Sequence, residues 1–228
     1  MQSEQTKKAI HLLEKFVEIQ SERISIYKLF ESSFKEFLSN PHQKTSIINY
    51  QRLCQGVTLS FKEVSDNIRE VEDDLTKINP AHAHLIRRIQ NHEKEKLQNT
   101  VKLQKLEQLI SQENVRIQKE EESEILLRSH QLECGNDHHH CHHSHEEGQE
   151  EVIRGEKRTI YEKEFQEAKT LHVEIIESIN ECLEEIRYAI EESRELYLEQ
   201  KEYESENPIV PQTVEEPHNP VQEDGLYL

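Results

Sequence analysis

Residues 47–78 read IINYQRLCQGVTLSFKEVSDNIREVEDDLTKI, and within them Ile47, Tyr50, Cys54, Val57, Phe61, Val64, Ile68, Val71, Leu75 and Ile78 follow one another in alternating steps of three and four. Apolar side chains at that spacing share one face of an α-helix, the pattern of a helix packed lengthwise against others. Charged neighbours such as Glu72 fall off that line, so removing one is expected to matter little. Thr45 or Ser46 is the expected N-cap, and Asn79-Pro80 ends the helix. The same dipeptide can open the next helix, with Asn79 as cap and Pro80 at the first helical position.

The pattern extends in both directions. Upstream, over 3–39, Ile10, Leu13, Val17, Ile24, Tyr27, Phe34 and Leu38 form a similar seam, widened on one side by Phe16, Phe30 and Phe37. So wide a stripe is expected to bury against more than one neighbour. Asn40-Pro41 ends it. Downstream, over 80–118, Leu85, Ile86, Ile89, Leu97, Val101, Leu103, Leu106, Ile110 and Ile117 predict a third helix, interrupted by the wholly polar stretch 90–96. A fourth helix is predicted over 156–204, where Tyr161, Phe165, Ala168, His172, Ile175, Ile179, Cys182, Ile186, Ala189, Ser193 and Leu196 keep the same steps. Ile176, Leu183, Ile190 and Tyr197 add a second stripe, so this helix is expected to pack on two sides.

Between and beyond the helices the composition changes. Residues 119–155 are acidic, hold three of the five glycines and contain the run HHHCHHSH at 138–145. Residues 205–228 place four prolines among acids. Such stretches cannot bury enough apolar surface to offset the entropy of ordering, and both are expected to be disordered. Short connections after the first two helices favour antiparallel neighbours, and the long insertion lets the fourth return against the other three. The expected organisation is an antiparallel three-helix segment (3–118), the insertion (119–155), a long packing helix (156–204) and a tail (205–228). The fold class is all-α: an elongated antiparallel helical bundle or coiled coil. An alternative pairs the fourth helix with its own copy, although its many Glu residues lack basic partners for that.

The composition supports a thin, extended core and no sheet, with 33% apolar residues, 32% charged, no Trp and few Gly. No stretch approaches a membrane span, and residues 1–8, MQSEQTKK, are followed by no apolar leader. The expectation is therefore an intracellular protein, nuclear or cytoplasmic, with reduced cysteines. Net charge is −18 and unevenly spread: residues 1–118 carry 18 Lys+Arg against 16 Asp+Glu, the remainder 10 against 30. An acidic half repels phosphate backbones, so direct nucleic-acid binding is not expected.

The sequence offers no catalytic apparatus. The glycines never cluster as a phosphate loop requires, and no nucleophile stands in a recognisable base context. An enzyme is not expected. One chemical feature remains, the ligand-type side chains of His138, His139, His140, Cys141, His142, His143 and His145. Imidazole and thiolate suit zinc or another transition metal, but Cys134 and Cys141 lack the short paired spacing of a structural zinc site. No cofactor is expected, and a metal held by this run is the alternative.

At 85–104 the sequence LIRRIQNHEKEKLQNTVKLQ, with its polar His92-Glu93-Lys94-Glu95-Lys96-Leu97 core, resembles the central block of the Required-for-excision (type 1-B) domain family. YQRLC at 50–54 and INECLEEIRY at 179–188 resemble two further blocks, in the right order across 10–195. The resemblance implies a small helical protein associated with DNA excision repair, without an established catalytic residue or cofactor. The expected function is then a helical adaptor working through contacts with other proteins, repair factors among them. His92, Glu93, Lys94, Lys96 and Leu97 are the expected interaction surface. A generic scaffold outside DNA metabolism and a metal-binding protein are the alternatives.

Overall fold

The computed structural model describes residues 2–133 and 147–206, with side chains over 3–129 and 155–206. Four α-helices account for nearly all of them: α1 (Gln2–Ser39), α2 (Lys44–Thr76), α3 (Pro80–Glu133) and α4 (Glu147–Glu206). No strand occurs among the described residues. Each helix packs on two neighbours, in the ring α1, α2, α3, α4 and back to α1.

The ring is antiparallel throughout. Tyr27 meets Phe61 with ring centroids 4.7 Å apart, and Phe37 stacks on Tyr50 at 4.8 Å, which runs α1 against α2. Asn99 of α3 reaches the Ala168 carbonyl of α4 at 2.7 Å, and Arg88 reaches Glu185 at 3.2 Å. Arg194 of α4 meets Glu14 of α1 at 2.6 Å. Such exposed ion pairs add little stability, but they mark which ends lie together. The helix ends follow local chemistry. Asn79 Oδ1 accepts from the amides of Ala81 and His82 at 3.1 and 3.3 Å, with Pro80 opening α3 as expected. At α2 the N-cap is Gln43, without a side-chain cap, so Thr45 and Ser46 lie inside the first turn instead.

Two helices outrun the sequence expectation. The polar residues after Gln118 lower apolar content without breaking a helix, and α3 continues to Glu133 while α4 begins at Glu147. The part of 119–155 outside the described backbone is 134–146. No described side chain of α3 beyond 110 is buried, and the first buried one among the described side chains of α4 is Ala168, so both helices run on past the four-helix part.

The core is strongest where the α2–α3 turn meets the ends of α1 and α4. There Leu13, Phe16, Ile68, Leu75, Ile86, Ile89 and Ile186 are fully covered. A second cluster, Phe30, Val57 and Phe61, lies toward the α1–α2 turn. The α2 seam is buried from Val57 to Leu75, while Ile47 is exposed. On α4 the seam from Ala168 to Ser193 is buried except at the half-buried His172, while Leu196 is exposed. On α1 the line differs from the apolar count: Val17 and Ile24 are exposed, and the buried positions include Ala9, Leu13, Phe16, Gln20, Arg23, Phe30, Phe34 and Phe37. The true phase of the helix passes through two polar residues that an apolar count steps around. Glu72 is likewise buried, with its Oε1 2.5 Å from Arg87 Nε, so it is not the indifferent surface residue its spacing suggested.

Candidate functional site

Gln20 and Arg23 occupy core positions on α1, and Gln90 and Glu93 face them from α3. Arg23 is 3% exposed, Gln20 5% and Glu93 7%, a buried polar layer between the two apolar clusters. Arg23 Nη2 donates to Gln90 Oε1 at 2.8 Å and to Ser65 Oγ of α2 at 3.2 Å, so one guanidinium ties three helices. Gln90 Nε2 reaches the Ser65 carbonyl at 3.5 Å. Tyr27 donates its hydroxyl to the Glu93 carbonyl at 3.3 Å, and Lys96 Nζ lies 4.0 Å from the Tyr27 ring centroid. The same ammonium is 3.5 Å from Glu93 Oε2, an ion pair with its side chains 16% and 8% exposed.

The electrostatics follow from burial. Desolvation pushes the Arg23 guanidinium below its usual range, opposed by the nearby Glu93 and Tyr27. Burial, then the Glu93 charge, pushes the Tyr27 hydroxyl well above its usual range. Several atoms of the layer have no hydrogen-bond partner among the described protein atoms: both amide atoms of Gln20, Arg23 Nη1 and Glu93 Oε2. Cavities of about 170 and 140 Å³ flank Glu93 on its two sides. The layer contains no nucleophile placed beside a base. Sliding α1 by one turn would leave a guanidinium and a carboxylate buried apart, a cost that works against other alignments.

Gln20 supplies a test of this arrangement. Its amide is buried without a partner among the described protein atoms, so Gln20→Leu, of similar volume, is expected to raise stability by about 1 kcal/mol, less than the full desolvation penalty of an unmade hydrogen bond. Urea unfolding checks it, and a lowered midpoint would mean that the amide is satisfied.

The expected interaction block divides between core and solvent. Glu93 is buried, Lys96 mostly so, and Leu97 packs against the Phe30, Val57 and Phe61 cluster, whereas Lys94 and Glu95 are exposed. His92 is half-buried, with Nδ1 3.4 Å from Glu95 Oε2. A 3.6-residue repeat turns consecutive polar residues to opposite sides, so His92, Glu93, Lys94, Lys96 and Leu97 do not form one exposed surface. Arg23 and Gln20 escaped notice in the sequence. Both fall on the three-four line through Leu13, Phe16, Tyr27 and Phe30, which places them on that face without showing what receives their polar groups.

Residues 11–107 match the DNA repair REX1-B family. This is the family that the blocks at 50–54 and 85–104 resemble, and the REX1-B match takes in most of α1, all of α2 and α3 as far as Glu107. The polar layer lies wholly inside the REX1-B segment, while α4 and its block at 179–188 lie outside it. Neither a curated relative nor a solved structure matches the chain.

Among the described residues, no group of three or more His, Cys, Asp or Glu is placed to hold a metal ion. His138, His139, His140, Cys141, His142, His143 and His145 lie outside the described residues. No described helix is long and apolar enough to cross a membrane.

Proposed function

We propose that the protein is a non-enzymatic helical adaptor in DNA excision repair, acting through contacts with other proteins. The observation that carries the reading is the DNA repair REX1-B match over 11–107. Two features support the adaptor part. The described helices expose large apolar side chains, Leu59 at 68%, Tyr188 at 69% and the consecutive Ile125, Leu126 and Leu127 among them, which a protein partner could cover. Its net charge of −18 disfavours the DNA backbone. No resident cofactor is assigned, and a nuclear or a cytoplasmic location, or both, fits the reading.

Deletion of the gene is expected to sensitise cells to ultraviolet light, while the purified protein shows negligible affinity for duplex DNA at physiological salt. Leu59→Glu or Tyr188→Glu should reproduce the sensitivity with an unchanged melting temperature, because both side chains are exposed. Normal ultraviolet survival of the deletion strain would remove the repair reading. Tight duplex binding would instead replace the adaptor with a DNA-binding protein.

A further inference from the structure

Beside the second core cluster, α2 and α3 stand apart over an apolar groove of about 400 Å³. Phe30 and Phe34 of α1 line it, with Val57 and Phe61 from α2 and Leu97 and Val101 from α3. Val101 is 51% exposed, so the apolar lining reaches the surface. Tyr50 crosses the gap at one end, donating to Gln104 Oε1 at 2.8 Å. Among the described residues lining the groove there is one cation, Lys105, and no carboxylate. Cys54, half-buried and not in a disulfide, lines it as well.

We propose that this groove receives the chain's own segment 207–228, which seats Leu226 and Tyr227 against the apolar lining that reaches the surface at Val101. The proposal goes beyond the repair reading and does not depend on it. Two stretches of chain lie outside the described backbone and have the length to be candidates, 134–146 and 207–228. The first reads CGNDHHHCHHSHE and, its two cysteines apart, has no apolar side chain with which to fill an aromatic-lined groove. The second carries Ile209, Val210, Val214, Val221, Leu226, Tyr227 and Leu228.

Charge points the same way. Residues 207–228 hold Glu215, Glu216, Glu223 and Asp224 with no Lys or Arg, and the last two acids directly precede Gly225-Leu226-Tyr227. Seating Leu226 and Tyr227 in the groove therefore brings two carboxylates to its margin, where Lys105 lies. Reach also suffices. The end of α4 lies beside the start of α1, with Ser3 Oγ 3.5 Å from Glu204 Oε2. From there to Phe30 and Phe34 is roughly 40–47 Å along α1 at 1.5 Å per residue. The 22 residues from 207 to 228 span up to roughly 73 Å when extended. The consequence is a surface covered in cis, which a partner segment of similar chemistry would have to displace.

Cys54 is the reporter. In the full chain its alkylation by iodoacetamide, resolved by mass spectrometry of the Cys54 peptide, is expected to be slow. The full-length double variant Leu226→Asp/Tyr227→Asp, and a chain ending at Glu206, should both label about tenfold faster, as for a site covered nine-tenths of the time. A synthetic 207–228 peptide added to the shortened chain should restore protection, and Lys105→Glu in the full chain should weaken it. Cys182 is 1% exposed and should stay unlabelled throughout, which reports that the bundle remains folded. Equal Cys54 rates with and without the segment overturn the proposal. Protection that survives both changes but fades on dilution assigns the groove to a second copy, and overturns it too.

Discussion

Ile68→Asp is expected to abolish the cooperative folding of the bundle at room temperature. Ile68 is completely covered in the cluster where all four helices meet, among Leu13, Phe16, Leu75, Ile86, Ile89 and Ile186. Truncating a buried isoleucine costs about 2–5 kcal/mol through lost transfer energy and the cavity left behind. The carboxylate adds a desolvation cost of several kcal/mol, because no cation lies among the members of that cluster to pair with it. Together these approach the whole stability of a typical domain, about 5–15 kcal/mol. Ile68→Val, which only trims a methylene, should cost about 0.5–1.5 kcal/mol and serves as the control. Thermal unfolding followed by circular dichroism measures both. An Ile68→Asp protein melting within a few degrees of the parent would mean that the α2 seam faces solvent.

The second large effect lies in the polar layer. Arg23→Ala removes the guanidinium that links Ser65 and Gln90 and leaves Glu93 with only Lys96 nearby. Glu93 keeps its ion pair with Lys96, so the expected cost of about 3 kcal/mol comes from the lost hydrogen bonds to Ser65 and Gln90, since bonds to a charged group contribute about 1.5–3 kcal/mol each. Replacing the hydrogen-bonded pair with apolar residues of similar volume, Arg23→Met with Gln90→Leu, should recover most of that loss, because no amide partner is then left unsatisfied. The double-mutant cycle in urea therefore separates two ideas that a single substitution confuses. A cost below about 1 kcal/mol for Arg23→Ala would show that water satisfies the layer and that the guanidinium holds nothing together. If the double variant is stable but loses its single, well-dispersed NMR state, the layer was setting alignment at a cost in stability.

These two positions also separate what was legible in the sequence from what was not. Ile68 could be assigned to the core from its place in an unbroken three-four run, because each apolar residue there votes for the same helix face. Arg23 could not. A buried arginine resembles an exposed one until the residues that receive it are known, and Ser65 and Gln90 lie 42 and 67 positions away. The block at 92–97 shows the same limit from the other side. Its polar composition suggested a partner surface, yet Glu93 and Lys96 belong to the interior because α1 presents Arg23 and Tyr27 opposite them. Resemblance fared better than composition there, since the charged block that carries it lies within the segment matching REX1-B.

By itself, then, the sequence determined four helices, the Asn-Pro stops after α1 and α2, the Asn79 cap and Pro80 start of α3, and most of the inward faces of α2 and α4. All of these depend on interactions within about one helical turn: hydrogen bonds to the fourth residue, a capping side chain, the repeat of apolar positions. Tertiary structure decided the phase of α1 through Gln20 and Arg23, the burial of Glu72 and Glu93, and the groove between α2 and α3. Each of these depends on a partner helix at a fixed distance. A polar side chain enters a core only when another chain segment satisfies it there, and a groove exists only where two faces fail to close.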